Sequence, residues 1–155
     1  MMKIRTKKFG AIEVNHDQEI RFVQPVIGFP GLINYVLVDT GTPVKWLQSM
    51  DDPAVVFPVV NPFDVKSDYN IEIPTTEAAA LGVEDGADVQ LWSITVLSTD
   101  PAEIRTNLRA PIVLNRRNGI AKQVVLPDSN LAMKYYFVPK KADRNKEVAN
   151  AGSHA

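Results

Sequence analysis

Along most of the chain, apolar and polar residues alternate with a period of two, interrupted at short intervals by Gly, Pro, Asn and Asp. Successive side chains of an extended backbone point to opposite faces, so this pattern predicts short, half-buried strands. KIRTKKF and AIEV flank Gly10 as the arms of a small hairpin. EIRFV sets Glu19 and Arg21 against Ile20 and Phe22, and the turn residues of DTGTP separate NYVLV from KWLQSM. VVFPVV is rich in β-branched residues, but Pro58 has no N–H to give to a ladder. Its strand is therefore expected at a sheet edge or with a bulge. DVQLWSITVLS, residues 88–98, is the longest strand-like run, and RAPIVLN, KQVVL and MKYYFV complete the series.

Helical signal is confined to two places. TTEAAALG offers Thr75 or Thr76 as an N-cap, three alanines and Gly82 as a stop. TDPAEI places Pro101 after Asp100, a first-turn start that cannot run far before Pro111. Many short strands with one or two short helices predict a mainly all-β fold, a small antiparallel barrel or sandwich. No repeat or linker interrupts residues 2–138. We expect one domain over residues 1–138 and a flexible tail over 139–155, where KKADRNKEVANAGSHA shows no core-forming periodicity.

At 155 residues and 45% hydrophobic content, such a domain can bury about 70% of its unfolded surface. The chain has no cysteine, which removes thiolate chemistry, Cys-based zinc sites and disulfides. MMKIRTKKFGAIEV lacks the apolar stretch of a signal peptide. No run approaches the roughly 20 apolar residues of a membrane span. The expectation is a soluble, cytoplasmic domain with no membrane partner.

The formal net charge of −1 conceals an asymmetry. Residues 1–38 carry five basic and three acidic residues, whereas residues 39–103 carry twelve acidic residues against only Lys45 and Lys66. Residues 104–155 reverse this, with ten basic and three acidic residues. If the middle third presents one face, that face attracts a basic partner and repels phosphates; if the fold intermixes the two signs, the bias is lost.

Candidate chemistry is sparse. His16, in VNHDQE, is the one histidine outside the tail, and no nucleophile-elbow motif accompanies it. Asp51 and Asp52 are adjacent, so on a strand they point apart, and before Pro53 they suit turn formation better than acid–base work. GFPG lacks phosphate-loop spacing, and EDGAD falls short of a calcium loop's ligand register. No catalytic residue, metal site or cofactor is expected. A second reading is a small β-barrel RNA-binding protein, with Arg105, Arg109, Arg116, Arg117 and Lys122 tracking phosphates and KYYF stacking bases. The residues themselves favour a protein-binding module, because NPFDVKSDYNIEI places Phe63 and Tyr69 among carboxylates beside the Pro58 strand. Each of those rings is equally suited to covering a barrel end.

GFPGL, WLQSMDDPAVVFPVVNPF with Asp68-Tyr69 after it, and NLRAPIVLN followed by KQVVL resemble, in that order, the flagellar assembly factor FliW family over roughly residues 2–138. Asn61 departs from that pattern, standing where many members carry an acidic residue. The resemblance implies a β-barrel-like protein without catalytic activity or cofactor. It further implies binding to the translational regulator CsrA, which relieves repression of flagellin synthesis, and flagellin as the competing partner, with no direct nucleic-acid contact. On that basis Asp64, Asp68, Tyr69 and Glu72 are the expected contacts with CsrA, and Asn61 and Phe63 the residues that shape the loop.

Overall fold

The computed structural model describes residues 1–138; the tail expected over 139–155 lies outside them. Strands β1 (Met2–Thr6) and β2 (Gly10–Val14) form the expected hairpin, paired from Met2↔Val14 to Thr6↔Gly10. The next strands are β3 (Glu19–Phe22), β4 (Asn34–Asp39), β5 (Lys45–Ser49) and β6 (Val56–Val60). Helices α1 (Pro62–Val65) and α2 (Thr75–Ala80) precede β7 (Val89–Val96). Strands β8 (Arg105–Thr106), β9 (Ile112–Asn115), β10 (Ile120–Gln123) and β11 (Tyr135–Tyr136) follow.

Seven strands close on themselves in the order β7, β6, β5, β4, β3, β10, β9 and back to β7. Once round such a ring the strand direction must return to its starting sense, so seven pairings cannot all be antiparallel. The exception is β3 with β10, which run parallel with Arg21 opposite Ile120 and Phe22 opposite Ala121. The other six pairings are antiparallel. The chain thus forms the expected mainly-β barrel with two short helices.

Closure makes one inside face. Ile20, Phe22, Tyr35, Leu47, Val59, Trp92 and Ile112 belong to this inner core, with Phe22 edge-on to Tyr35 at 5.0 Å. Their strand neighbours point outward. Leu91 and Val113, each next to an inner-core residue, instead join Tyr69, Leu81, Leu108, Val124 and Leu126 in a second core outside the barrel. A period-two sequence therefore supplies both cores, one from each face of β7 and β9. Residues 61–83, containing both helices, form a strap over the second core. Leu81 is fully buried there, worth about 1.5–3 kcal/mol of apolar burial.

Pro58 is not on an edge strand, because β6 is flanked by β5 and β7. Its ladder to β7 holds only Val59↔Ile94 and Val60↔Ser93. Pro58 lies just beyond that ladder, so its missing N–H removes no bond from it. On the far side of β7, residues 107–111 stand opposite only Ser93 and Ile94, between the pairs Thr106↔Thr95 and Ile112↔Trp92. This wide bulge separates β8 from β9 and projects Leu108 into the second core.

Neither Thr75 nor Thr76 caps α2; the N-cap is Pro74, with no side-chain capping bond. Gly82 ends that helix at φ +67, in the left-handed region that favours glycine. Asp52 forms the expected local turn, whereas the Asp51 carboxylate instead ties the β5–β6 turn to the segment that enters β4. The Asp51 carboxylate accepts from the backbone N–H groups of Ile33 and Asn34, both at 2.9 Å, and Asp52 accepts from Ala54 N–H at 2.9 Å. The β1–β2 hairpin joins the barrel wall through Lys7 N–H to Pro53 C=O at 2.9 Å. Phe9 meets Trp46 edge-on, and Lys8 Nζ stands 4.2 Å above the Trp46 ring. Gly119, at φ +73, turns the chain into β10 where an added Cβ would lie 3.0 Å from the Glu19 carbonyl. A side chain would be strained there on both counts.

Candidate functional site: an acidic strap over the second core

The strap begins at Asn61, whose side-chain carbonyl accepts from Phe63 N–H at 3.0 Å. Pro62 follows at the first helical position, where its fixed φ suits the turn and its missing N–H costs nothing. Asn-Pro-Phe is thus the opening of α1, a four-residue helix that the sequence pattern did not predict. It leaves the Phe63 side chain 46% exposed and sets its ring edge-on to Tyr69 at 5.5 Å.

Tyr69 does not face solvent. It is 3% exposed, and its hydroxyl donates to the Leu108 carbonyl across the second core at 2.7 Å. Burial pushes its pKa up to about 12. The structure therefore makes Tyr69 the floor beneath Phe63 rather than a contact of its own. Asp64, Asp68 and Glu72 are exposed. Asp68 pairs with Lys66 Nζ at 2.6 Å, and that hydrogen bond holds its carboxyl below the usual range. Ile71 and Ile73 are half-buried against the second core, while Asn70 and Glu72 between them are exposed.

Clefts flank this stretch. One, of about 920 Å³, lies between residues 70–75 and Leu126, Pro127, Asp128 and Leu131. The other, of about 550 Å³, is lined by Phe63, Ile71, Ile73, Val89 and Arg116. Asp128 was absent from the sequence-based site, because only the fold brings it beside Glu72. A third cleft, away from the strap, is lined by Ile27, Phe57, Val96, Val125 and Met133, together with Arg105 and Lys134. Of these apolar residues, Ile27, Val96, Val125 and Met133 are exposed.

The other sequence candidates are dispersed. His16 is exposed and 3.5 Å from Glu19. Asp85 caps the turn at Ala87, and among the described residues no group of three His, Asp or Glu could hold a metal. The five cations expected to track phosphates, Arg105, Arg109, Arg116, Arg117 and Lys122, are engaged with the fold. Arg109, Arg105 and Arg116 donate to the carbonyls of Leu126, Glu103 and Ala87. Lys122 reaches Glu77 at 2.7 Å and Arg117 lies 3.9 Å from Glu84. No helix among the described residues is long and apolar enough to cross a membrane.

Residues 3–137 match the family model described as FliW protein. A flagellar assembly factor FliW of Alkaliphilus metalliredigens (strain QYMF) is 34% identical, the match covering 99% of this chain and 96% of the relative. One of Heliobacterium modesticaldum (strain ATCC 51547 / Ice1) is also 34% identical, over 97% of this chain and all of the relative. A crystal structure of the flagellar assembly factor FliW superposes with a TM-score of 0.84 at 33% identity, covering 91% of this chain and 100% of the other. The closed barrel, the strap and these matches together show that the chain belongs to the FliW family.

Proposed function

We propose that this protein is a non-enzymatic, cytoplasmic regulator of flagellar assembly that binds and antagonises CsrA, with flagellin as the competing partner. The reading rests on its family membership and on one observation, the acidic strap. Asp64, Asp68 and Glu72 are exposed around a half-exposed Phe63 that stands on a buried Tyr69. A fixed apolar anchor ringed by charge is a common interface design, and its sign suits a basic, RNA-binding partner. Flagellin can release CsrA only if the two complexes exclude or weaken one another. The apolar cleft at Ile27, Val96, Val125 and Met133 is a separate surface suited to an amphipathic segment.

The test is a titration of the purified protein with CsrA at low and high salt, repeated with Asp68 and Glu72 both changed to Lys. CsrA affinity should fall as salt rises and drop at least about ten-fold in the variant, with unfolding unchanged. Flagellin should reverse the complex. Equal affinity for the two proteins removes the strap from the interface, and no binding by CsrA that still holds RNA overturns the reading.

A further inference from the structure

Every strand of the barrel has a neighbour on each side, yet one strand-like segment has none among the described residues. Residues 70–73, NIEI, alternate exposed and half-buried with the strand period of two. Ile71 and Ile73 are held against the second core. Tyr69 N–H bonds to Lys66, and after Pro74 the helix bonds begin with Glu77 N–H to the Pro74 carbonyl. Between them, no backbone or side-chain hydrogen bond joins residues 70–73 to any other described residue. The segment is thus anchored by its side chains while its N–H and C=O groups have no hydrogen-bond partner among the described residues.

We infer that residues 70–73 are a docking edge, onto which the basic partner adds an extended segment by main-chain pairing in the cleft between this edge and residues 126–131. This rests on the partner reading above and specifies how that partner binds. An unpaired row of N–H and C=O groups is a template for another chain, and pairing of this kind is a recurrent mode of peptide recognition. The opposite wall favours an incoming strand over closure by this chain. Pro127 has no N–H, and the N–H of Leu126 is already committed to the Arg109 carbonyl. Ile71, Ile73, Leu126 and Leu131 give the cleft an apolar floor.

Charge selects both the cleft and the occupant. Glu72 and Asp128 line this one with no cation among its lining residues, whereas Arg116 lines the cleft on the other side of the strap. The occupant is therefore an extended segment of the partner carrying Lys or Arg at alternate positions, set to meet Glu72 and Asp128.

Residue-resolved amide exchange of the full chain, alone and saturated with CsrA, tests this. Along one edge of an extended segment only every second N–H faces the added strand. Alternate amides of residues 70–73 should therefore slow by about ten-fold or more on binding, with their neighbours little changed. In a second arm, Glu72→Pro and Ile71→Pro are each compared with the controls Glu72→Gln and Ile71→Val, after confirming that all four fold. Only the proline that removes a protected N–H should weaken CsrA beyond its control. A tight complex with no protection at residues 70–73, or prolines no worse than their controls, overturns main-chain docking and leaves the acidic-strap reading standing. Absence of any complex overturns that reading, and this inference with it.

Discussion

The barrel wall and the strap are written in the same alternating code but end in opposite states. In the wall, Phe22, Leu47 and Val59 turn inward while each strand's backbone groups go to neighbours on both sides. In the strap, Ile71 and Ile73 turn toward a core in the same way, yet among the described residues their backbone has no hydrogen-bonded neighbour. Side-chain alternation decides which face is buried; it does not decide whether the edges are filled. A protein can thus hold a strand rigidly in place and still leave it open to another chain.

The comparison can be broken most forcefully from inside the barrel. Phe22→Ala empties a site that is 1% exposed, and the expected loss is about 3–5 kcal/mol in urea unfolding. Because wall and strap share β7 and β9, both should be lost in one transition. If the strap melts separately from the barrel, the two cores are independent.

Tyr69→Phe sharpens the contrast. It removes the bond to the buried Leu108 carbonyl and should cost about 1–3 kcal/mol, with CsrA affinity retained in the folded fraction. A loss of affinity without loss of stability would instead make the hydroxyl a direct contact. The wild-type protein also has a pH signature. Its Tyr69 pKa is raised from 10.0 to about 12, so the folded state holds the proton that the unfolded chain releases. The associated stability is intact below about 10 and is lost as the pH rises from there toward 12. Tyr35 shares this behaviour, raised to about 12 by burial and by the charge of Asp51. Tyr69→Phe should therefore reduce, without abolishing, the fall in thermal midpoint above pH 10.

Asn61→Ala is the mildest change. Loss of its bond to Phe63 N–H should cost about 1 kcal/mol at most. It should weaken CsrA binding through a less fixed Phe63, and Asn61→Asp, which keeps the cap, should restore the affinity. Equal binding by all three proteins would show that the position of Phe63 does not depend on the cap.

The sequence reveals the barrel more fully than it reveals the strap. Strand after strand was legible because period-two alternation and turn residues are local signals. Ring closure was not, since the parallel pairing of Arg21 with Ile120 joins remote segments with no local mark. Pro58 misled for a related reason: a missing N–H argues for an unpaired position, which can lie where a ladder stops as well as on an edge strand. At the site, the acidic run was plain in the sequence. The burial of Tyr69 was not, because its acceptor is a carbonyl projected by the bulge at residues 107–111. In NIEI the alternation was visible, but whether a neighbour exists for it is a property of the whole topology.

The parallel seam also sets the timetable of folding. Hairpins such as β4–β5 join residues close in sequence and can zip as soon as they emerge from a ribosome. The barrel cannot shut until β10 has been made and has returned to β3, with Arg21 N–H on the Gly119 carbonyl and Val23 N–H on the Ala121 carbonyl. The chain entropy of that long loop must be overcome before its contacts reward it, making the seam the slow, late step. Until then β3 is an exposed apolar edge on a nascent chain, the period in which premature association is most dangerous.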